Sequence, residues 1–242
     1  MDDGSKSLEQ SLEMLRMAAD NGSTDIVASP HANYEFKFDP AVIAAKLEEL
    51  RSAAHGVIRV HTGCDFHLSF DNIQDALRNP TKYAINHKRY VLVEFSDHQI
   101  PGTTDDVFYQ MQSVGMIPII THPERNMMLQ KKLDKLEEWA RSGALIQVTG
   151  QSFLGRFGKQ AKRFADLLLE HNLIHIVASD AHDTKYRPPL LGEAHEYVSK
   201  MCGAARGEML FVTNPGAVIA GTPIEMPDIE SRPARKWFQF WN

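Results

Sequence analysis

The feature that most constrains the fold is a regular alternation of short apolar segments with longer amphipathic ones. Predicted strands lie at 26–28, 57–62, 90–93, 117–120, 145–148 and 174–178. Predicted helices lie at 7–20, 40–54, 104–114, 132–142, 158–171 and 190–202, and residues 71–89 are interpreted as a looser connection. Strands that alternate with helices of this length are typical of βα units, whose strands run parallel. The pattern therefore predicts an α/β fold built on a parallel sheet.

Two of the predicted helices begin with recognisable capping signals. Ser7 precedes Gln10 by three positions, which is a capping-box pattern, and Leu8 opens an apolar stripe with helical spacing. Asp39 followed by Pro40 combines a favourable N-cap with a proline in the first turn. These signals indicate where the first two helices begin.

Composition narrows the function classes. The 242 residues carry 26 lysines and arginines against 31 aspartates and glutamates, a formal net charge of −5 with histidine neutral. This mild acidity argues against a dedicated nucleic-acid-binding protein, which would show a basic excess. No apolar run is long enough to span a membrane, and the first residues lack the pattern of a secretion signal. The two cysteines are too few for a disulfide framework, so we expect a soluble, cytoplasmic protein.

Side chains that can bind metal ions follow the predicted strands one after another. The carboxyl ends of the strands of a βα barrel all open onto one face, so such side chains would meet there. A metal ion needs several ligands from different directions, which no single segment supplies. The pattern therefore predicts a site for more than one metal ion. Its candidate ligands are His31, Asp65, Glu94, His122, Asp180 and His182.

Taken singly, these residues have simpler explanations. One histidine after a strand is more often a loop or core residue than a ligand, and His31 alone would not indicate metal. Glu94 directly follows an apolar strand, where an unpaired carboxylate is costly to bury. Asp180 and His182 are two residues apart, so in extended chain their side chains point the same way. His67 is expected at most to support a ligand. The other histidines are interpreted as surface or structural residues: His55, His61, His87, His98, His171, His175 and His195.

Two arginines lie close in sequence to these candidate ligands. Arg125 follows His122 by three residues, and Arg187 follows His182 by five. The planar, permanently charged guanidinium matches the oxygens of a phosphoryl group, so the pair suggests a phosphorylated substrate. The alternative for either arginine is an ordinary surface ion pair, for which Glu124 is a neighbour of Arg125.

Together these segments resemble a known family. The motifs that carry the resemblance are Asp2-Asp3-Gly4, Ser29-Pro30-His31, Gly63-Cys64-Asp65, Val93-Glu94-Phe95-Ser96, Thr121-His122-Pro123-Glu124-Arg125, Ala178-Ser179-Asp180-Ala181-His182, Arg187-Pro188-Pro189 and Asn214-Pro215. Their order and spacing are similar to the PHP (polymerase and histidinol phosphatase) superfamily. Within it they resemble the bacterial tyrosine-protein phosphatases of capsular and exopolysaccharide gene clusters, over about residues 2–220.

The resemblance implies a distorted (β/α)7 TIM-like barrel that holds up to three divalent metal ions, most often Mn²⁺. It implies hydrolysis of phosphotyrosine on a bacterial tyrosine autokinase that controls polysaccharide synthesis. Carried over by position, Asp3, His31 and His182 would bind one ion. Asp65, Glu94 and His122 would bind a second, and Asp65 and Asp180 would contribute to a third. Arg125 and Arg187 match the arginines that bind the substrate phosphate.

The chain departs from this family at two points. The family begins with a strand carrying a His-x-His pair ahead of the Asp-Asp-Gly motif, whereas Asp2 here follows Met1 directly. We therefore expect the first strand to be missing from this chain, as it would be if the gene start had been assigned at an internal methionine. Asp65 also stands where the family usually has glutamate, and its side chain is about 1.5 Å shorter.

The expected chemistry is metal-assisted hydrolysis of a phosphomonoester without a cysteine nucleophile. Cys64 precedes a candidate ligand, but it is interpreted as a small buried apolar residue. Two other functions stay open. One is a PHP phosphatase for a small metabolite of the histidinol phosphate type. The other is a metal-poor, non-catalytic binding protein.

The last residues break the βα pattern. Residues 1–221 are predicted to form the barrel, and 222–242 a tail rich in proline and aromatic residues. Its end combines cations with aromatic rings in Arg232, Arg235, Lys236, Trp237, Phe238, Phe240 and Trp241. Such a mixture suits a membrane surface or a partner groove, and equally an aromatic plug against the barrel or an unstructured end.

Overall fold

The computed structural model describes residues 2–97 and 99–224 of the chain. Its strands are β1 (Asp25–Ala28), β2 (His31–Ala32), β3 (Arg59–Thr62), β4 (Asp65–His67), β5 (Tyr90–Glu94), β6 (Ile117–Thr121), β7 (Leu145–Thr149) and β8 (Ile176–Ala178). Its α-helices are α1 (Leu8–Asp20), α2 (Pro40–Ala54), α3 (Phe70–Arg78), α4 (Thr104–Ser113), α5 (Leu133–Arg141), α6 (Gly150–Phe153), α7 (Gly158–Glu170), α8 (Gly192–Cys202), α9 (Ala204–Glu208) and α10 (Asn214–Ala220). A π-helical turn, Met209–Thr213, joins α9 to α10.

All strand pairs in the described residues are parallel, which confirms the predicted α/β fold. One sheet has the order β2-β4-β5-β6-β7-β8, and β1 pairs with β3 in a second. Both capping signals also act as predicted. The Ser7 hydroxyl accepts a hydrogen bond from the backbone N–H of Gln10, and the Asp39 carboxylate accepts from Ala41 and Val42.

Each of the first two predicted strands, 26–28 and 57–62, is followed after a bend by a second short strand that was not predicted. The bends lie at Pro30 and at Gly63, yet the ladder continues through them. Gly63 N–H donates to the Ala28 carbonyl at 2.9 Å, and Asp65 N–H donates to the Pro30 carbonyl at 3.0 Å. A Cβ atom on Gly63 would lie only 2.5 Å from Val27, so the close approach requires glycine there. The bends direct β2 and β4 into the larger sheet, and with them His31 and Asp65.

Two parts of the helical prediction were incomplete. Residues 71–89 are not simply a loose connection, because α3 covers Phe70–Arg78. The Ser69 side chain caps it, while Ile73 and Leu77 pack against the core. The four-residue spacing of Ile73 and Leu77 can be seen in the sequence, but it involves few apolar residues and most of their neighbours are polar. Residues 204–220, for which no helix was predicted, contain the further helices α9 and α10.

Successive residues of the sheet are buried on opposite faces. Val91 and Val93 pack into the larger core cluster beneath the helices, whereas Tyr90 and Leu92 belong to a smaller cluster on the other face. The same alternation continues in β6, β7 and β8. The face with the smaller cluster therefore carries Tyr90, Leu92 and then Glu94, so it changes from apolar to polar towards the carboxyl ends of the strands.

The hydrogen bonding of the described residues does not close these sheets into a barrel. Within residues 2–97 and 99–224, no strand pairs with the outer side of β1 or of β8, and both strands line a cavity of about 1010 Å³. The predicted tail begins with ordered contacts, because Tyr90 Oη donates to the carbonyl of Thr222 and Ile224 packs on the smaller cluster. The hypotheses about residues 225–242 lie outside the described residues.

Among the described residues, none of the helices has both the length and the apolar character needed to cross a membrane.

His175, expected to be structural, is completely buried at the start of β8. Its Nδ1 accepts a hydrogen bond from the backbone N–H of Ile146 at 3.0 Å. Burial, reinforced by the nearby positive charge of Arg206, lowers the pKa of His175 to about 4. The folded state therefore requires this imidazole to be neutral.

This burial predicts a pH-dependent contribution to stability. The unfolded chain takes up a proton at His175 near the ordinary pKa of 6.5, whereas the folded chain resists it until about pH 4. The free energy of unfolding should thus fall as the pH drops through this window, by roughly 3 kcal/mol in total from this group. His175→Gln should remove that part of the fall, as measured by urea denaturation at pH 7 and pH 4.5. The control is His87→Gln, which replaces an exposed histidine. The prediction is contradicted if the free energy of unfolding has the same pH dependence in both variants.

Candidate metal centre

The polar end of the sheet brings the side chains of five separate segments together. Strand register places His31 opposite Asp65 and His67 opposite Glu94. His122 follows β6, and Asp180 and His182 follow β8. The predicted candidate ligands therefore lie at one end of the fold, on the side where the inner face becomes polar.

Glu94 lies at the centre of this group. Its Oε2 is 2.6 Å from His67 Nε2 and 3.4 Å from His31 Nε2, and its Oε1 is 3.2 Å from His122 Nε2. Burial acts to raise the pKa of Glu94, but hydrogen bonds from the three imidazoles outweigh it and hold the pKa well below its usual range. The carboxylate is therefore ionised and shared by three histidines. His67, expected only in a supporting role, contacts it at the shortest distance.

Asp65 supplies a second buried carboxylate beside Glu94. Its exposed fraction is 8%, and its Oδ1 has no hydrogen-bond partner among the described residues. Burial, together with the negative charge of Glu94, raises the pKa of Asp65 to about 7. A buried carboxylate without a partner is costly, so this geometry favours a proton or a cation at the site.

The Asp-Asp-Gly motif approaches the same group from the amino terminus. Asp3 Oδ1 is 3.3 Å from His31 Nδ1, and Asp3 Oδ2 is 3.5 Å from His182 Nε2. Asp2 was not predicted as a site residue, yet its Oδ2 is 3.1 Å from the same Nδ1 and accepts from the His31 backbone N–H. Hydrogen bonds to Asp2 and Glu94 raise the pKa of His31 to about 11. The adjacent acidic pair was the only sequence signal for Asp2.

Asp180 connects the two candidate phosphate-binding arginines. Its Oδ2 accepts hydrogen bonds from both Arg125 and Arg187, and the Arg125 guanidinium lies 4.4 Å from the centre of the Phe157 ring. The expectation of extended chain from Asp180 to His182 was wrong, because Asp180 has a left-handed backbone with φ of 50°. The two side chains nevertheless lie close, with His182 Nδ1 4.0 Å from Asp180 Oδ1.

Glu124 does not form the surface ion pair with Arg125 that was the alternative to a phosphate-binding role. It is completely buried, and its Oε1 accepts hydrogen bonds from the Thr149 backbone N–H at 3.1 Å and from Ser152 Oγ at 2.7 Å. Burial raises the pKa of Glu124. The residue thereby ties the segment that carries His122 and Arg125 to the end of β7, a role that no local sequence pattern indicates.

We expect the hydrogen bonds of Glu124, rather than its charge, to support this segment. Glu124→Gln keeps an accepting oxygen and should change the free energy of unfolding by less than about 1 kcal/mol. Glu124→Ala leaves two donors unpaired and a cavity, and should cost roughly 2–4 kcal/mol. Chemical denaturation at pH 7 distinguishes the two. Equal losses in both variants would show that the carboxyl group itself is required.

Comparisons with known proteins identify the family of the chain. The family model described as capsular polysaccharide synthesis, CpsB/CapC, matches residues 1–220. A putative tyrosine-protein phosphatase CapC of Staphylococcus aureus is 37% identical over 195 residues, covering 79% of this chain and 76% of the relative. The tyrosine-protein phosphatase YwqE of Bacillus subtilis is 35% identical over 214 residues, covering 87% and 84%. The tyrosine-protein phosphatase CpsB of Streptococcus pneumoniae is 29% identical over 228 residues, covering 90% and 93%.

A solved structure is similar over almost the whole chain. It comes from work on YwqE of Bacillus subtilis and CpsB of Streptococcus pneumoniae, described there as unique metal-dependent tyrosine phosphatases. The TM-score is 0.88 at 32% identity, with 96% of each chain covered. The resemblance predicted from the motifs is thus confirmed, and the chain belongs to the CpsB/CapC family of capsular polysaccharide synthesis proteins.

Proposed function

We propose that this chain is a metal-dependent phosphatase that hydrolyses phosphotyrosine on proteins. Relatives that share most of its length carry the name tyrosine-protein phosphatase, and the similar solved structure is of metal-dependent enzymes. The observation that carries the proposal is the cluster of carboxylates and imidazoles around Glu94, next to two arginines that share Asp180. Ligands for cations thus lie beside groups suited to phosphoryl oxygens.

The donor atoms of the cluster fit divalent metal ions. Asp65, Glu94 and His122 have ligand atoms within 4.8 Å of one another, as do His31, His67 and Glu94, and Asp2, Asp3 and His31. Imidazole and carboxylate donors suit manganese, iron and zinc alike. We propose Mn²⁺, with one ion on Asp3, His31 and His182. A second would be held by Asp65, Glu94 and His122, and a third by Asp65 with Asp180.

The residues of the chain have separate roles in the proposed reaction. Bound divalent ions would lower the pKa of a coordinated water and neutralise charge on the phosphoryl group. Arg125 and Arg187 would bind the remaining phosphoryl oxygens, and Asp180 orients both guanidinium groups towards one place. Cys64 is fully buried, and burial raises the pKa of its thiol well above normal, so it is unsuited to act as a nucleophile.

Two reagents separate this proposal from a cysteine-based phosphatase. Removal of divalent ions with a chelator should abolish hydrolysis of p-nitrophenyl phosphate, and added Mn²⁺ should restore it. Alkylation by iodoacetamide should leave the rate unchanged, because Cys64 is inaccessible and Cys202 lies on α8, away from the cluster. Loss of activity on alkylation, with resistance to the chelator, would refute the metal mechanism.

The arginines offer a more local test. Arg125→Ala and Arg187→Ala should each lower kcat/KM for p-nitrophenyl phosphate by roughly 10²-fold, since each removes charge-assisted hydrogen bonds to the phosphoryl group. Lysine substitutions should recover only part of the loss, because an ammonium cannot form the bidentate contact. Arg156→Ala, an exposed arginine between α6 and α7, is the matched control. Metal content should stay unchanged in all variants, and equal losses in the control would contradict the assignment.

We propose that the sheets form the distorted (β/α)7 barrel of the family, with the cavity between β1 and β8 at the place where the described residues do not close it. Both unpaired edges line this cavity, and Asp3, Asp180 and His182 lie around its polar end. Metal analysis of the purified chain is informative here. Three ions per chain indicate a complete site, while fewer than two with no turnover would favour the non-catalytic alternative.

The family description, capsular polysaccharide synthesis, supports a proposal for the natural substrate. We propose a cytoplasmic enzyme acting on a bacterial tyrosine autokinase, with a weaker contact to a membrane or partner through the tail. The alternative is a small phosphorylated metabolite. Comparison of kcat/KM for a phosphotyrosine peptide and for histidinol phosphate distinguishes them, and a clear preference for histidinol phosphate would reject the protein substrate.

A further inference from the structure

Two tyrosines stand almost fully exposed beside the candidate metal centre. Tyr34 is 98% exposed and Tyr186 is 85% exposed. Tyr34 lies three residues after His31, and Tyr186 directly precedes Arg187. The rings of His31 and His182 are 6.4 Å apart, so the loops that carry the two tyrosines begin at neighbouring residues of the centre.

Both tyrosines are held on turns that are ordered in advance. The Asn33 side-chain oxygen accepts hydrogen bonds from the backbone N–H groups of Glu35 at 2.9 Å and Phe36 at 2.8 Å, and the Asn33 N–H donates to the Phe36 carbonyl. The turn that presents Tyr34 is thereby closed from both directions. Phe36 lies 6.0 Å from the His31 ring, which connects this turn to the centre.

The second turn is closed in the same way. The Asp183 carboxylate accepts hydrogen bonds from the backbone N–H groups of Lys185, Tyr186 and Arg187, and His182 N–H donates to the Arg187 carbonyl at 2.9 Å. A single exposed tyrosine on a protein surface requires no explanation. Two tyrosines on hydrogen-bonded turns next to one site are different, because a ring held in place supplies a large contact area at a low entropic cost.

We infer that Tyr34 and Tyr186 form a docking pair for the polypeptide on either side of the phosphotyrosine. The inference rests on the proposed function and deepens it by naming residues that distinguish a protein substrate from a small ester. The occupant is an extended segment whose phosphorylated side chain enters between the two turns. The nearby Lys37 and Lys185 are exposed and form no ion pair with the described residues, which favours an anionic segment. Glu35 offsets part of that charge, so the rings carry most of the contact.

The test compares a phosphotyrosine peptide, with flanking residues on both sides, against p-nitrophenyl phosphate, which has none. In the double variant Tyr34→Ala/Tyr186→Ala the ratio of the two kcat/KM values should fall roughly tenfold, as expected when contact tyrosines are truncated. Tyr34→Phe/Tyr186→Phe keeps the rings and should retain most of the ratio. Tyr109→Ala removes a tyrosine that is 72% exposed on α4, away from the centre, and should leave the ratio unchanged.

Binding of a fluorescently labelled phosphopeptide, measured by anisotropy, is the second readout and does not require turnover. Weaker binding by the double variant than by the wild-type chain supports the docking pair. An unchanged ratio with unchanged binding overturns it, as does an equal fall in both kcat/KM values or a fall in the Tyr109→Ala control. A wild-type chain that binds the peptide but hydrolyses neither ester refutes the phosphatase function, and the anisotropy series still decides on the docking pair.

Discussion

The crowding of negative charge at the carboxyl ends of the strands is the constraint on which the rest of the site depends. Glu94, Asp65, Asp180 and Asp2 are mostly buried and lie close together, and the more exposed Asp3 joins them from the amino terminus. Burial of carboxylates is tolerated only when cations or hydrogen-bond donors compensate them. Three imidazoles surround Glu94 and two guanidinium groups surround Asp180, whereas Asp65 Oδ1 has no partner among the described residues. The same imbalance that would destabilise an empty site makes it a strong ligand set for divalent ions.

The scaffold supports this arrangement through two features of the strands. On one face of β5, the apolar Tyr90 and Leu92 are followed by Glu94. The polar end of the sheet is therefore adjacent to the smaller apolar cluster. The bends at Pro30 and Gly63 transfer the first two strands from one sheet to the other just before His31 and Asp65. Without the bends, these two side chains would not meet Glu94 at the register observed. Gly63 has no room for a Cβ atom beside Val27, so the position of Asp65 in the site depends on a glycine two residues earlier.

Two residues outside the proposed ligand set support the candidate phosphate-binding arginines. Glu124 joins the loop after β6 to the end of β7, and Phe157 packs over the guanidinium of Arg125. Asp180 then draws Arg125 and Arg187 to a single oxygen. The site therefore consists of an outer frame, in which Glu124 and Phe157 make the supporting contacts, and an inner group of charged side chains. This division explains how closely spaced charges can coexist with a well-packed core.

The sequence alone determined the α/β class, most of the longer helices, the family and a set of candidate ligands, because hydrophobic periodicity and motif order can be read directly from the chain. Tertiary structure decided what depends on contacts between distant segments. His67 and Asp2 gained their roles only when the fold brought Glu94 and His31 to them. Glu124 changed from an expected surface neighbour to a buried tie between strands. Asp180 reached His182 and both arginines through a left-handed turn rather than the extended chain assumed from spacing. In each case the partner lies elsewhere in the chain, so the energy that fixes the side chain is absent from its local sequence.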